Sequence, residues 1–217
     1  MFEKEYGEIK NKIRLLGEEQ KILEFEMLNR AAIQQICLKA EILNDEFKTR
    51  YARNPIHHVE SRLKSRKSIA NKLIKKGVTP TIENAYEHIN DAAGIRVVCC
   101  YIDDVYHVAD MLCAQQDLQL IERKDYIQEP SYNGYRSLHL DFRVPVYFSD
   151  NCMYTTAEVQ LRTVAMDFWA SLEHDIRYKS DKNIPRNIAQ EMLRCADDIA
   201  LIDGKMQAIY KTIQDKK

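Results

Sequence analysis

The sequence predicts an α+β fold: a mixed β-sheet of about five strands flanked by helices, with long helices toward both ends of the chain. Three observations predict it. Residues 1–50 and the stretch after Pro185 contain no internal proline and carry apolar residues at helical spacing. "AAGIRVVCCYI" (92–102) is apolar on both faces and rich in β-branched residues, the composition of a central strand. Residues 136–146 and about 153–163 alternate apolar and polar side chains around a polar turn near Ser149–Asn151, as an antiparallel hairpin does.

In chain order, Ile9, Ile13, Leu16, Ile22, Phe25, Met27 and Leu28 set the helical spacing of the first segment. Asn54-Pro55 has the form of a helix start, with Asn as cap and Pro in the first turn. It predicts a helix from about Pro55 to Lys76, stopped by Gly77. Thr79-Pro80 predicts a second, short helix toward Asn90. After the central strand, "DDVYHVADMLCAQQ" reads as a helix with Asp103 or Asp104 near its N-terminus, and "LQLIERKDYI" as a strand. The hairpin follows. A helix over 164–179 then places Phe168, Leu172 and Ile176 on one stripe. The last helix has Met192, Ile199, Ile202, Met206 and Ile209 among its apolar positions. The chain divides into 1–52, 53–180 and 181–217.

With 45% hydrophobic residues the chain can bury a core, and with 30% charged residues it is expected to be soluble. A net charge of −1 gives no global field toward nucleic acid or membrane, so either partner must show as local clustering. The charged N-terminus and the lack of a run of about 18 apolar residues predict neither a leader peptide nor a membrane span. Six cysteines form no C-x-x-C pair, so zinc-site spacing is missing. Free thiols in a reducing, cytoplasmic compartment are expected.

Charge clusters in three places. "SRLKSRKSIANKLIKK" (61–76) holds seven basic residues and no acidic one. Lys64, Ser68 and Lys72, at i, i+4 and i+8, share a face of an ideal helix. Arg62 falls off that stripe unless the chain bends there. A solvated basic face is the ordinary reading; the sharper one is a cradle for clustered phosphate oxygens. In "NDAAGIR" (90–96), Asp91 precedes the central strand and Arg96 lies within it. A buried Arg needs an anionic partner: either a structural Asp–Arg pair, or a carboxylate for a metal with a guanidinium for phosphate or a base. In the hairpin, Ser137, His139, Glu158, Gln160 and Arg162 fall on one polar face, with Gln160 roughly opposite His139. Together the clusters suit phosphates, a hard metal such as magnesium, and a base received by the aromatic loop Tyr132-Asn133-Gly134-Tyr135. Neither a G-x-x-x-x-G-K-[ST] loop nor the kinase signature set is present.

"HVESRLKSRKSIANKL", "NDAAGIR", "RKDYIQEPSYNGYRSLHL" and "AEVQLRTVAMDFWASLEHDIRYK" resemble, in order, the motifs of RelA/SpoT-type alarmone synthetases. The resemblance covers about residues 57–180, and the size points to the single-domain small synthetases. It implies a nucleotidyltransferase-like synthetase fold, with 53–180 as catalytic domain and the C-terminal helix serving oligomerisation. The implied reaction transfers the β,γ-pyrophosphate of ATP to the 3′-hydroxyl of GDP or GTP. The products, ppGpp and pppGpp, are the signals of the bacterial stringent response.

By the same resemblance, Arg62 and Arg96 sandwich the ATP adenine, and Lys64, Ser68 and Lys72 hold its phosphates. Asp91 and Glu158 bind Mg2+, and Glu158 is also the base. Tyr135 stacks on guanine with Asn133 beside it, and Lys124, His139, Gln160 and Arg162 contact the acceptor or its phosphates. A homotetramer is implied. The segment Gln128–Tyr132 departs from the family by lacking a Lys and holding Glu129. That keeps open the same chemistry on a tRNA 3′ end or an adenosine nucleotide. The basic run keeps open a non-catalytic RNA-binding module; RNA is thus a possible but not a required partner. A membrane partner is not expected. No hydrolase domain and no regulatory C-terminal domain are expected.

Overall fold

The computed structural model describes residues 19–179 and 184–214. The first long helix, α1 (Glu19–Tyr51), buries Ile22, Phe25, Leu28, Ala32, Ile33, Ile36, Ala40 and Leu43, a three-to-four-residue repeat that gives it one apolar stripe. The expected positions Ile9, Ile13 and Leu16 lie outside the described residues. Five strands follow: β1 (Ile56–Leu63), β2 (Ala93–Cys99), β3 (Gln119–Asp125), β4 (Leu138–Tyr147) and β5 (Cys152–Thr163). They form one mixed sheet in the order β1-β2-β5-β4-β3, with β2 and β5 parallel and the other neighbours antiparallel.

The segment 55–63 corrects the sequence reading. It is not the start of a helix; Ile56–Leu63 is an edge strand on β2. Asn54-Pro55 leads into that strand, with the Pro55 carbonyl accepting from the Cys100 amide at 3.0 Å. Tertiary pairing with the apolar β2 overrides a local helix signal. The helix begins only at α2 (Arg66–Lys75), where the Ser65 side chain caps the Ser68 amide. Lys64 therefore does not share a helical face with Ser68 and Lys72; the chain bends between Arg62 and the helix.

The short helix α3 (Ile82–His88) is capped by Thr81. Next, α4 (Ile102–Cys113) buries Val105, Val108, Ala109 and Leu112 against the sheet, beside α1. One sheet face meets these two helices through Ile95, Val97, Leu138, Leu140, Phe142, Val144, Val159 and Leu161, all buried. Each such side chain contributes about 1.5–3 kcal/mol when removed from water. Apolar residues fill alternate positions of β4 and of the end of β5, which frees the residues between them to build the opposite face.

The chain passes from β5 directly into α5 (Val164–Lys179) and ends in α6 (Arg186–Gln214). Trp169, Ala170 and Ala196 form a small cluster joined by Tyr135 and Ile199, so α5 and α6 pack against the loop that precedes β4. Phe168, Leu172 and Ile176 do form one stripe of α5, and that stripe is exposed.

Candidate active site

Two rows of side chains cross the polar face of the sheet. Backbone pairing aligns Arg62, Gly94, Glu158, Asp141 and Glu122 in one row and Glu60, Arg96, Gln160, His139 and Lys124 in the next. The hairpin register places Gln160 opposite His139, as its alternation predicts. Gly94 keeps the floor low: an added Cβ would sit 3.6 Å from Arg62 Cγ.

The rows open into two clefts. The first is lined by Glu60, Arg62, Asp91, Arg96, Glu158 and Gln160. The second is lined by Glu122, Lys124, Tyr126, His139, Asp141 and Glu158. Glu158 belongs to both.

In the first cleft, Lys64 Nζ lies 2.6 Å and Lys72 Nζ 2.8 Å from the two oxygens of Asp91. Burial pushes the Asp91 carboxyl up, but the two ammonium groups outweigh it and hold it below its ordinary value. Ser68 sits in the exposed first turn of α2, its hydroxyl 2.9 Å from that of Ser65. Arg62 projects from the edge strand and is exposed. Arg96 does not pair with Asp91. Its Nη1 meets Glu60 at 3.1 Å and Asp167 at 3.3 Å, while its buried Nε has no hydrogen-bond partner among the described residues. Not all of the basic run faces this cleft: Arg66 ties α2 to Glu19 and Glu26 of α1.

The second cleft has an aromatic wall of Tyr126 and His139, on which Tyr135 packs. Tyr126, Tyr135 and His139 meet edge-to-face, with ring centroids 5.1–5.9 Å apart. Tyr135 Oη is 2.8 Å from His139 Nε2 and accepts from Arg162 Nη2 at 2.5 Å. Gln160 links the two acidic and basic ends, donating to Glu158 at 2.6 Å and accepting from Arg162 at 2.8 Å. Lys124 pairs with Glu122 at 2.7 Å. In the loop only Tyr132 is fully exposed; Asn133 donates to Glu173 at 3.0 Å, and Gly134 is buried. Gly134 has φ +87°, and an added Cβ would lie 2.5 Å from Ala196 Cβ, so the loop touches α6 through its backbone.

Burial also pushes Glu158 up, yet His139 at 3.4 Å and the Gln160 hydrogen bond outweigh it and leave the carboxyl below its ordinary value. Facing it across the strands, Asp141 moves the other way: burial and the Glu158 charge raise it, only partly offset by Asn90, which donates at 3.2 Å. The two adjacent carboxyls are thereby pushed in opposite directions, Glu158 down and Asp141 up.

Arg62, Asp91, Arg96, Lys124, His139, Glu158 and Gln160 line these clefts, and Lys64, Lys72, Tyr135 and Arg162 contact lining residues; Ser68 and Asn133 do neither. Tyr126, Asp141, Asp167, Glu60 and Asn90 were not singled out. Alternation along β4 places Asp141 on the same face as His139, a signal available in the sequence; Asp167 gives none.

Residues 61–183 match the family model described as the region found in RelA / SpoT proteins. This chain belongs to the RelA/SpoT family. It is 43% identical over 182 residues to the GTP pyrophosphokinase YwaC of Bacillus subtilis, covering 84% of this chain and 87% of that one. The fold is similar to the crystal structure of small alarmone synthetase 2 from Bacillus subtilis, at a TM-score of 0.79 and 41% identity over 86% of this chain and 97% of that one. It is also similar to small alarmone synthetase 1 from Bacillus subtilis bound to its product pppGpp, at a TM-score of 0.83 and 30% identity over 90% of this chain and all of that one. Among the described residues of this RelA/SpoT protein, no helix is long and apolar enough to cross a membrane.

Proposed function

We propose that this protein is a GTP/GDP pyrophosphokinase that moves the β,γ-pyrophosphate of ATP to the 3′-hydroxyl of GDP or GTP, making ppGpp or pppGpp. The observation that carries this reading is Glu158, a carboxylate in the wall shared by a cleft that holds Arg62 and Arg96 and a cleft that holds Lys124, Tyr126 and His139. The family membership supports the same activity.

In this reading the first cleft takes the donor. Arg62 and Arg96 flank the adenine, a role suited to flat guanidinium planes. Lys64, Lys72 and Ser68 bind the phosphates, the two lysines exchanging Asp91 for phosphate oxygens. The second cleft takes the acceptor. Tyr135 supplies the guanine platform with Asn133 at its edge, and Lys124, His139, Gln160 and Arg162 hold the ribose and phosphates. Glu158 accepts the 3′-hydroxyl proton as that oxygen attacks the β-phosphorus. The bond from that phosphorus to the α,β-bridging oxygen breaks, and AMP leaves. Positioning and charge neutralisation, rather than covalent catalysis, lower the barrier.

Asp91 and Glu158 offer only oxygen ligands and feel each other's charge, a donor set that fits Mg2+ sharing its shell with substrate phosphates. Held by Asp91 and Glu158, Mg2+ would supply charge neutralisation for the transferred group. A chelator is expected to abolish transfer, and Mg2+ to restore it.

Phe168 and Leu172 of α5 and Ile202, Met206, Ile209 and Ile213 of α6 expose apolar side chains. They support a homo-oligomer, a tetramer on the family pattern. Light scattering should then give a mass near four times the 25.4 kDa chain.

The direct test incubates purified protein with Mg2+ and γ-labelled ATP and offers GMP, GDP, GTP, ADP and tRNA separately, with Glu158→Gln as blank. Label on GDP or GTP, missing from the blank, is the expected result. Label on tRNA or ADP alone overturns the acceptor assignment, and label on none overturns the activity.

A further inference from the structure

We propose that Asp167 is a positioning residue that couples the two nucleotide clefts, because a single carboxylate oxygen holds one arginine from each. The proposal rests on the pyrophosphokinase reading above. Asp167 Oδ1 lies 3.3 Å from Arg96 Nη1 and 3.3 Å from Arg162 Nη1. Arg96 projects from β2 into the donor cleft. Arg162 projects from β5, and its other terminal nitrogen donates to Tyr135 Oη and Gln160 Oε1 on the acceptor side. Gln160 in turn holds Glu158. A continuous run of charged and polar contacts therefore joins the proposed adenine arginine to the proposed guanine tyrosine and the base.

The carboxylate at the centre is firmly placed. Asp167 stands in the first turn of α5, where the helix dipole favours a negative charge. No loop separates that turn from β5, and Thr163 fixes the junction: its hydroxyl accepts from the Met166 amide at 3.1 Å and meets Asp203 at 2.6 Å. The side chains of Asp167 and Arg162 are only 16% and 5% exposed, so solvent screens their attraction poorly. Two guanidinium groups that share one acceptor oxygen are not independent. Fixing Arg96 against a purine fixes Asp167, and with it Arg162, Tyr135 and Gln160. The second nucleotide then meets a site whose ordering entropy is already spent. Each nucleotide should tighten the other, and by linkage to the same factor.

Glu60 provides an internal control. It holds the same Arg96 nitrogen at 3.1 Å but belongs to β1, at the far edge of the sheet from β3 and β4. Glu60→Gln should change donor affinity alone. Asp167→Asn keeps the shape and the acceptor oxygen and removes the charge that both arginines share.

The experiment is calorimetric titration of α,β-methylene ATP, in which the bond to be cleaved is blocked, with Mg2+ and with or without saturating GDP. GDP should tighten the analogue by about fivefold or more in the wild-type protein. In Asp167→Asn the tightening should shrink below about twofold, and in Glu60→Gln it should stay at the wild-type factor. Should Asp167→Asn fail to melt cooperatively, Asp167→Glu, which displaces the charge, carries the same expectation. Full tightening in the Asp167 variant, or equal loss in Glu60→Gln, overturns the proposal. A wild-type protein that binds both nucleotides without mutual effect overturns the coupling alone; one that binds neither overturns the pyrophosphokinase reading as well.

Discussion

The proposed donor cleft and the proposed acceptor cleft share one sheet face and one carboxylate, yet they are built on different physics. The donor cleft is a matter of charge: Lys64, in the bend ahead of α2, and Lys72, in the last turn of α2, converge on Asp91. Arg62 stands exposed on the edge strand. The acceptor cleft is a matter of packing. Tyr126, Tyr135 and His139 lean on one another, and the loop behind them is held by α5 and α6 through Asn133, Gly134 and Trp169. Donor recognition should thus respond to single charges at the cleft. Acceptor recognition should respond to changes made well outside it.

The largest expected effect on this contrast comes from Lys72→Ala. Losing a charge-assisted hydrogen bond to a phosphate costs about 1.5–3 kcal/mol, so the KM for ATP should rise roughly tenfold or more while that for GDP moves less than about twofold. Steady-state kinetics with each substrate varied in turn checks this; equal rises in both would erase the distinction.

Gly134→Ala is the converse. The new methyl would meet Ala196 at 2.5 Å, at a backbone angle of φ +87°. Strain of about 1–3 kcal/mol should lower the melting temperature by several degrees. GDP affinity should weaken with ATP affinity nearly kept. An unchanged melting curve would show that α6 does not brace the loop.

The smallest effect concerns the facing carboxyls. Asp141 has a raised native pKa, so its ionised form costs stability at neutral pH, and that cost fades as pH falls through the native value and below the unfolded one near 4. Asp141→Asn should raise the melting temperature at pH 7 by a degree or two, with the gain vanishing below about pH 4. Asp91 and Glu158 have lowered values and the opposite sign: their stabilisation is full above the unfolded value and is lost as pH falls through the native ones. A stabilisation by Asp141→Asn that persists in acid would contradict this assignment.

The two clefts were also unequally legible in the sequence. The β4–β5 hairpin could be read because period-two alternation with a short polar turn fixes register, and with it the facing of His139, Gln160 and Glu158. β1 could not. An irregularity between Ile56 and His58 breaks its alternation, its outer edge has no partner strand among the described residues, and the Asn54-Pro55 step imitates a helix start. Its strand character comes from pairing with β2, thirty or more residues away. Asp167 was hidden for a related reason: Arg96 and Arg162 become neighbours only through the parallel β2–β5 pairing. Lys64 was found by an argument that fails, since it lies outside the helix, although it reaches Asp91 as a phosphate-binding side chain would.

The central claim is that Glu158 serves both clefts as the base. The most direct measurement is single-turnover transfer from ATP to GDP by Glu158→Gln, with the affinity of each nucleotide measured separately. A carboxylate base contributes about 10²–10⁴-fold, so the transfer rate should fall by at least about a hundredfold while both nucleotides still bind. Transfer at near wild-type rate in that variant would contradict the account.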